Sequence, residues 1–187
     1  MSKPTALDLP MVDPLPAPTQ KYFDICQDQL GMVPNVLQAH AFDIDKLNAF
    51  TALYNDLMLS ESNLSKLERE MIAVVTSSIN KCFYCLTAHG AAVRQLSGDP
   101  KLGEMLVMNW RVADLDARQR AMLLFAEHVT KESHSIEEAD RQALRDVGFT
   151  DRDIWDIANV CAFYNMSNRV ASATDMRPND EYHAQYR

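Results

Sequence analysis

The sequence predicts an all-α fold, on three observations. Apolar residues recur three and four positions apart along most of the 187-residue chain, which is the spacing of one helical face. Helix-capping patterns precede several of these segments. No segment alternates apolar and polar residues over a length that would favour a strand. We therefore expect an extended arm over residues 1–18, one helical domain over 19–175 and an irregular C-terminal tail over 176–187.

The arm is predicted from its proline content. Proline fixes φ, lacks an N–H donor and favours extended geometry in the residue before it. Four prolines fall close together, at Pro10, Pro14, Pro16 and Pro18. The N-terminus also lacks the apolar stretch of a signal peptide. Such an arm becomes ordered only where it packs on another surface.

The first helices are predicted from apolar spacing, glycine and proline. A helix begins at Thr19 and ends at Gly31, because glycine is favoured just beyond a helix C-terminus. Pro34 begins the next element. The segment 43–59 again keeps the helical period, which predicts a helix there.

The middle of the chain contains its most apolar helix. Ser65 and Glu68 have the spacing of a capping box just before the apolar run MIAVV (71–75). Because that run is apolar on nearly all sides, its helix is expected to be central. After a turn near residue 81, the segment CLTAHGAAVRQL (85–96) predicts the next helix.

The remaining helix starts are marked by acidic or hydroxyl residues that can accept the free N–H groups of a first turn. They are Asp99 (before Pro100), Asp116, Ser135 (with Glu138) and Thr150 (with Asp153). The helix that Ser135 begins is expected to end at Gly148. The last helix is the longest, and its apolar stripe includes Cys161 and Tyr164.

Composition excludes several functional classes. The chain is 47% hydrophobic and 24% charged with five glycines, which fits one globular domain. Its net charge of -8, from 18 basic and 26 acidic residues, disfavours nucleic-acid binding because phosphates would be repelled. The chain has no run of about 18 apolar residues, the length that a membrane-spanning helix needs. Its four cysteines are too few for a secreted disulfide scaffold. We expect a soluble, cytoplasmic protein with no nucleic-acid or membrane partner.

The stretch KCFYCLTAHG (81–90) contains the strongest candidate site, formed by Cys82, Cys85 and His89. If the helix already includes residue 82, the three side chains fall within about a 60° arc. The N–H groups at a helix start stabilise a thiolate. Two thiols at this spacing can close a reversible disulfide, and the imidazole can take the proton of the attacking thiol.

Glu70 is the candidate partner of His89. Eleven residues separate Glu70 from Cys82. In an antiparallel helical hairpin that turns near Lys81, the carboxylate and the imidazole lie about one turn apart in height. Glu70 lies in the most apolar helix, where its carboxylate would be partly desolvated. Such a carboxylate suits a proton relay.

These residues resemble a known family. Glu70, Cys82-x-x-Cys85 and His89 have the spacing of the alkylhydroperoxidase AhpD family, within the carboxymuconolactone decarboxylase-like superfamily. The segments LGMVPNVLQAHA (30–41) and LRDVGFTDRDIWDIANVCAFYNMSNRVASATDMRPND (144–180) are similar to the subgroup called peroxidase-related enzymes. The resemblance therefore covers roughly residues 8–180.

The resemblance implies a role for each residue of the motif. Cys85 would be the peroxidatic thiol and Cys82 its resolving partner, with Glu70 and His89 as the relay. AhpD itself has a histidine immediately before the second cysteine, where this chain has Tyr84. The resemblance also implies an AhpD-like helical domain that assembles into homo-oligomers, as dimers, trimers or hexamers.

We therefore expect a thiol-dependent peroxidase with no cofactor and no metal. Its partners would be a small-molecule hydroperoxide and an external dithiol reductant of the thioredoxin or lipoyl type. One alternative is a redox-sensing or structural oligomer without turnover. Another is a lactone or decarboxylase activity like that of the wider superfamily, which would not need the cysteines.

Other interpretations of the same residues are structural. The motif cysteines could be buried apolar side chains, or could bind zinc together with His89 and Glu70. Asn165 and Arg169 could line the site, although a buried hydrogen-bonded pair is the simpler interpretation. Two further cysteines are expected in the core, and four histidines lack partners at catalytic spacing; they are Cys26, Cys161, His40, His128, His134 and His183.

Overall fold

The computed structural model describes residues 3–187, and these form ten α-helices without a strand. The helices are α1 (Ala17–Leu30), α2 (Asn35–His40), α3 (Ile44–Tyr54), α4 (Lys66–Ile79), α5 (Phe83–Ser97), α6 (Pro100–Asn109), α7 (Ala117–Glu132), α8 (Glu138–Asp146), α9 (Asp151–Ala173) and α10 (Glu181–Ala184). The predicted all-α fold is confirmed.

Helix α4 is the centre of the fold, as its sequence predicts. It packs against α5, α6, α7 and α9. Every residue from Glu68 to Ser77 is buried, and Met71, Ile72, Ala73, Val74 and Val75 have no exposed surface. Because an apolar helix face is stabilised by burial, the run MIAVV requires neighbours on all sides.

Most of the predicted helix starts are correct. Ser65, Asp116 and Thr150 each accept the backbone N–H three residues later in a complete capping box. Asp99 caps α6 by accepting the Lys101 N–H, with Pro100 at the first helical position. These contacts join residues two or three positions apart, so the local sequence can predict them.

The predicted start of α8 at Ser135 is wrong. Glu137 is the N-cap residue, and its backbone N–H donates to Asp140 Oδ2 at 2.8 Å. The Ser135 hydroxyl donates instead to the carbonyl of Glu132, at 2.8 Å, and lies 2.8 Å from Nε2 of His128. A tertiary contact to α7 has therefore replaced the local cap. Gly148, with φ of 90°, follows the end of α8 as expected.

Helix α1 begins at Ala17, two residues before the predicted start at Thr19. Proline is tolerated in a first helical turn because the N–H that it lacks has no partner there. Residues 3–16 contain no helix and are mostly exposed. They are attached to the body by backbone hydrogen bonds such as Val12 N to Ala41 O, at 2.9 Å. The first two residues of the predicted arm lie outside the described residues.

The C-terminal segment is not wholly irregular, because α10 forms within it. Arg94 of α5 donates to the carbonyl oxygens of Tyr182 (2.9 Å) and Gln185 (3.0 Å). These contacts join segments about ninety residues apart, so no local pattern in the tail predicts them. The helix places Tyr182 against α5.

Helix α9 is the longest, at 23 residues, and backs the site region with its second half. One face is buried, including Ile157, Val160 and Tyr164. The opposite face is exposed, as shown by Trp155 at 68%. Among residues 3–187 no helix combines the length and apolar character needed to cross a membrane.

Candidate active site

The turn between α4 and α5 brings Glu70 and His89 into direct contact. Lys81 takes a positive φ of 54° in this turn, and the Cys82 N–H then donates to the Ser77 carbonyl at 3.0 Å. The two helices run back along each other, and Glu70 Oε2 lies 2.6 Å from His89 Nδ1. Both side chains are largely buried, with exposures of 11% and 14%. The predicted hairpin thus joins the carboxylate and the imidazole.

The two motif cysteines stand at the start of α5 in different conformations. Cys82 is the N-cap residue with extended backbone geometry, and Cys85 lies in the first turn. Helix α5 therefore does not include residue 82, and the arc expected for a helical Cys82 does not apply to its side chain. Both thiols are free and each is only 1% exposed.

The environment of the two thiols separates their acidities. A hydrogen bond from the Cys85 thiol, assisted by the Cys85 backbone N–H and the Ser172 hydroxyl, outweighs burial and lowers the pKa of Cys82 to about 6. The same bond, together with burial, raises the pKa of Cys85. The thiolate form is thus favoured at Cys82, at the helix start, over Cys85.

A cavity of about 370 Å³ opens beside Cys85. Its wall is mostly apolar and is built by α1, α2, α3, α5, α9 and α10. Cys85 and His89 line it, whereas Cys82 and Glu70 are not among the described residues of its wall. The principal apolar lining residues are Ile25, Leu30, Val36, Leu37, Phe50, Leu59 and Phe163. A molecule in this cavity would meet the Cys85 thiol and the imidazole together.

Tyr84, which replaces the histidine of AhpD, has a structural contact. Its side chain is buried, and its hydroxyl accepts the backbone N–H of Val36 at 3.0 Å. Val36 lies in the first turn of α2, where N–H groups lack partners within the helix. Tyr84 therefore attaches α2 to α5 and helps to form the cavity wall.

Two further residues of the site come from α9 and are missing from the sequence prediction. Tyr164 lies edge-on to His89, with ring centroids 4.6 Å apart, and its hydroxyl is 3.5 Å from His89 Nδ1. Asn168, 1% exposed, donates to Ser77 Oγ at 2.9 Å. Its amide also favours the thiolate form of Cys85. The only sequence signal was a polar amide at position 168 in an apolar helix.

Asn165 and Arg169 form a hydrogen-bonded pair, with the guanidinium 2.9 Å from Asn165 Oδ1. Arg169 is exposed, however, so the pair is not buried as expected. Neither residue lines the cavity. Asn165 accepts from Asn80 Nδ2 at 3.0 Å and donates to Thr130 Oγ1 at 3.2 Å. The pair thus links α9 to α7 and to the turn before α5.

The remaining cysteines differ from each other. Cys161 is buried between hydroxyl groups, with Thr130 Oγ1 at 3.2 Å, as expected for a core residue. Cys26 is only partly buried and lines the cavity. Among the described residues no group of three His, Cys, Asp or Glu side chains is arranged to hold a metal ion. Within residues 3–187, Cys82, Cys85, His89 and Glu70 are therefore not arranged as a set of zinc ligands.

His128 has partners that its sequence position did not indicate. Nδ1 lies 3.1 Å from Asp140 Oδ1, and Nε2 lies 2.8 Å from Ser135 Oγ. The arrangement of Asp140, His128 and Ser135 resembles a hydrolytic triad. The Ser135 hydroxyl, however, also donates to the Glu132 carbonyl. None of the three lines the cavity beside Cys85. Their contacts join α7 to α8.

Fold and site together define an all-helical protein with a buried dithiol, a paired glutamate and histidine, and an apolar cavity. The family model described as the carboxymuconolactone decarboxylase family matches residues 45–127, which include the whole motif. No protein of curated function matches the sequence significantly.

Two solved structures are similar over the full chain. One is an uncharacterized peroxidase-related protein from Silicibacter sp. TM1040, with 76% identity, a TM-score of 0.97 and coverage of 100% of this chain and 97% of that one. The other, from Ralstonia eutropha JMP134, is described as an alkylhydroperoxidase AhpD core and peroxidase-related protein. It has 43% identity, a TM-score of 0.95 and coverage of 100% and 98%. The chain belongs to the AhpD-like, carboxymuconolactone decarboxylase family, which confirms the resemblance.

A more distant structure shares the fold alone. The debrominase Bmp8, solved as a cysteine-to-alanine variant with 2,3,4-tribromopyrrole, has 17% identity and a TM-score of 0.80, with coverage of 98% of this chain and 97% of that one. This all-helical fold is therefore also found in a debrominase.

Proposed function

We propose that the protein is a thiol-dependent peroxidase that reduces organic hydroperoxides through Cys85 and Cys82. The observation that carries the proposal is the placement of Cys85 and His89 on the wall of one apolar cavity, with Glu70 2.6 Å from His89 Nδ1. A cavity of about 370 Å³ holds a molecule larger than hydrogen peroxide. Its apolar wall favours an organic group beside the reacting thiol.

Glu70 sets the orientation and tautomer of His89. His89 Nδ1–H donates a hydrogen bond to the Glu70 carboxylate, so Nε2 carries the free lone pair. His89 lies one helical turn after Cys85, where side chains four residues apart are neighbours. Nε2 can therefore take the Cys85 proton as the thiol reacts, and the Glu70 carboxylate stabilises the imidazolium that forms.

The chemistry proceeds in two balanced steps. The Cys85 thiolate attacks the terminal oxygen of the hydroperoxide; an S–O bond forms, the O–O bond breaks, and the proton held by His89 completes the alcohol. The Cys82 thiolate then attacks the sulfenic sulfur of Cys85, an S–S bond forms, and hydroxide leaves as water after protonation. The Cys85 backbone N–H and the Ser172 hydroxyl remain to stabilise the Cys82 thiolate in this second step.

The cycle closes when an external dithiol reduces the Cys82–Cys85 disulfide, which requires a reductant of the thioredoxin or lipoyl type.

We also infer a homo-oligomer, because the exposed face of α9 includes Trp155, Met166 and Val170, which are 68%, 43% and 39% exposed. Sedimentation at micromolar concentration tests this: a monomeric mass would contradict it.

Peroxide turnover with a panel of dithiols tests the proposed function. We expect steady-state consumption of cumene hydroperoxide with dihydrolipoamide or reduced thioredoxin, and none in the double Cys82→Ser, Cys85→Ser variant. In single variants, sulfenic acid should form faster on Cys85 in Cys82→Ser than on Cys82 in Cys85→Ser. Equal rates would contradict the assignment of Cys85 as the peroxidatic thiol.

The same double variant distinguishes the superfamily alternative. If the variant kept a lactone or decarboxylase activity at the wild-type level, the cysteines would be unnecessary and the peroxidase proposal would be wrong. Slow disulfide formation without turnover with any dithiol would instead favour a redox sensor.

A further inference from the structure

The Tyr164 hydroxyl is a buried donor beside the reacting groups. The residue is 1% exposed and lines the same cavity as Cys85 and His89. Its hydroxyl lies 3.5 Å from His89 Nδ1, and within residues 3–187 it has no other hydrogen-bond partner. A buried polar hydrogen without an acceptor costs free energy, so its presence at a site calls for an explanation.

The contact with His89 does not use the hydroxyl proton. Nδ1 already donates its hydrogen to Glu70 Oε2 at 2.6 Å, so it has no free lone pair to accept from Tyr164. The ring itself packs edge-on against the imidazole, at 4.6 Å and 76°, and against Phe163 at 5.3 Å and 87°. These contacts fix the ring and leave the O–H free to donate to a molecule in the cavity.

Tyr164 also remains neutral. Burial is the main cause that raises the pKa of its hydroxyl, and the negative charge of Glu70 adds to the effect. The group is therefore a donor over the whole physiological pH range. In an apolar cavity such a donor stabilises developing negative charge more strongly than water-exposed groups do.

We propose that the Tyr164 hydroxyl donates a hydrogen bond to the leaving oxygen of the hydroperoxide, which makes Tyr164 a further catalytic residue. This inference rests on the proposed function. When the Cys85 sulfur attacks the terminal oxygen, the electron pair of the O–O bond moves to the other oxygen, which becomes an alkoxide. Tyr164 stabilises that charge and keeps its own proton, while the proton that completes the alcohol comes from the His89 imidazolium.

The leaving group provides the test. An alkoxide is strongly basic and needs a donor, whereas the carboxylate that leaves from a peracid does not. Rates of Cys85 sulfenic acid formation are compared in the Cys82→Ser background, with and without Tyr164→Phe, for cumene hydroperoxide and peracetic acid. We expect Tyr164→Phe to lower the cumene hydroperoxide rate by about 10²-fold, as for loss of one oxyanion donor, and the peracetic acid rate far less.

Two controls separate this role from a structural one. In the first control, Cys85 is alkylated with iodoacetamide and the reaction is followed by mass spectrometry. The leaving group is iodide, which is weakly basic and needs no hydrogen-bond donor. The rate should therefore be the same with and without Tyr164→Phe. Tyr186→Phe, at an exposed tyrosine outside the cavity, should leave all three rates unchanged.

Equal losses with both peroxides, or slower alkylation, would show that Tyr164 acts on the thiol and would overturn the inference. No loss at all would overturn it too. If the parent protein were alkylated normally but oxidised by neither peroxide, the proposed function itself would fail, and the inference with it.

Discussion

Two buried acidic residues, Glu70 in α4 and Glu127 in α7, have nearly the same whole-residue exposure, 8% and 7%, but different partners. Glu127 binds Arg111 at 2.6 Å, Lys131 at 2.5 Å and the Trp110 ring N–H at 2.8 Å. Glu70 has His89 at 2.6 Å as its hydrogen-bond partner within the described residues. Burial alone therefore does not distinguish a structural carboxylate from a chemical one.

The hydrogen-bond partners of the two carboxylates determine whether each one can take part in proton transfer. Burial would raise the pKa of Glu127, but the hydrogen bonds from Lys131, Arg111 and Trp110 outweigh it and lower the pKa to about 2. The carboxylate is thus charged at neutral pH and joins α7 to the turn after α6, residues 110–112. Glu70 is bound to an imidazole, the one side chain whose usual pKa lies near neutrality, and that imidazole lines a cavity. Such a pair can move a proton during a reaction.

The largest expected effect is on the rate of thiol oxidation. Glu70→Gln and His89→Gln should each slow Cys85 oxidation by about 10²- to 10⁴-fold, the range for a missing general base. The double variant should lose little more than either single one, because residues that act as one relay are non-additive. Stopped-flow oxidation rates between pH 5 and 9 measure this.

Glu127→Gln is the matched control for that experiment, since it removes a carboxylate of equal burial from another part of the core. Its oxidation rate should equal that of the wild type. Wild-type oxidation rates in Glu70→Gln, or strictly additive losses in the double variant, would show that Glu70 does not act in a relay. Glu70 would then have a structural role, as Glu127 does.

The second expected effect concerns the resting thiolate. Because the pKa of Cys82 is lowered to about 6, the thiolate fraction should rise through that pH, whereas an ordinary thiol ionises near about 8.5. At pH 6 the difference is about 10²-fold in thiolate. Ultraviolet absorbance at 240 nm and alkylation of Cys82 followed by mass spectrometry measure the titration.

The same titration in Glu70→Gln sharpens the comparison. The groups that stabilise the Cys82 thiolate are the Cys85 thiol, backbone N–H groups and Ser172, so the midpoint should not move when Glu70 is neutralised. It should move upward in Cys85→Ser, which weakens the first of these donors. A wild-type midpoint near pH 8.5 would contradict the assignment of the charge to Cys82.

The smallest effect is on stability. Glu127→Gln should lower the free energy of unfolding by about 1.5 to 3 kcal/mol, the usual range for hydrogen bonds to a charged group. Since the folded pKa lies below the unfolded value, this contribution is full above about pH 4.3 and declines as the pH falls toward 2. Urea unfolding at several pH values measures it. If Glu70→Gln lowered the free energy of unfolding by the same amount, both carboxylates would have the same structural role.

The sequence by itself determined the features that depend on neighbouring residues. The caps at Ser65, Asp99, Asp116 and Thr150 use N–H groups two or three positions away, so the local sequence was enough to predict these four. The apolar run 71–75 predicted a central helix, and the spacing of Glu70 and His89 across a short turn placed them about one helical turn apart in height. The direct contact at 2.6 Å is a finding of the structure.

Only the tertiary structure decided what depends on contacts between distant segments. Ser135 contacts His128 instead of capping α8, and Arg94 of α5 binds the carbonyl oxygens of Tyr182 in α10 and of Gln185 just after it. Tyr164 reaches His89 across 75 positions, and its sequence signal was that of one more core aromatic residue. Hydrogen bonding and burial are properties of a residue's neighbours in space, and those neighbours exist only once α4, α5 and α9 have packed together.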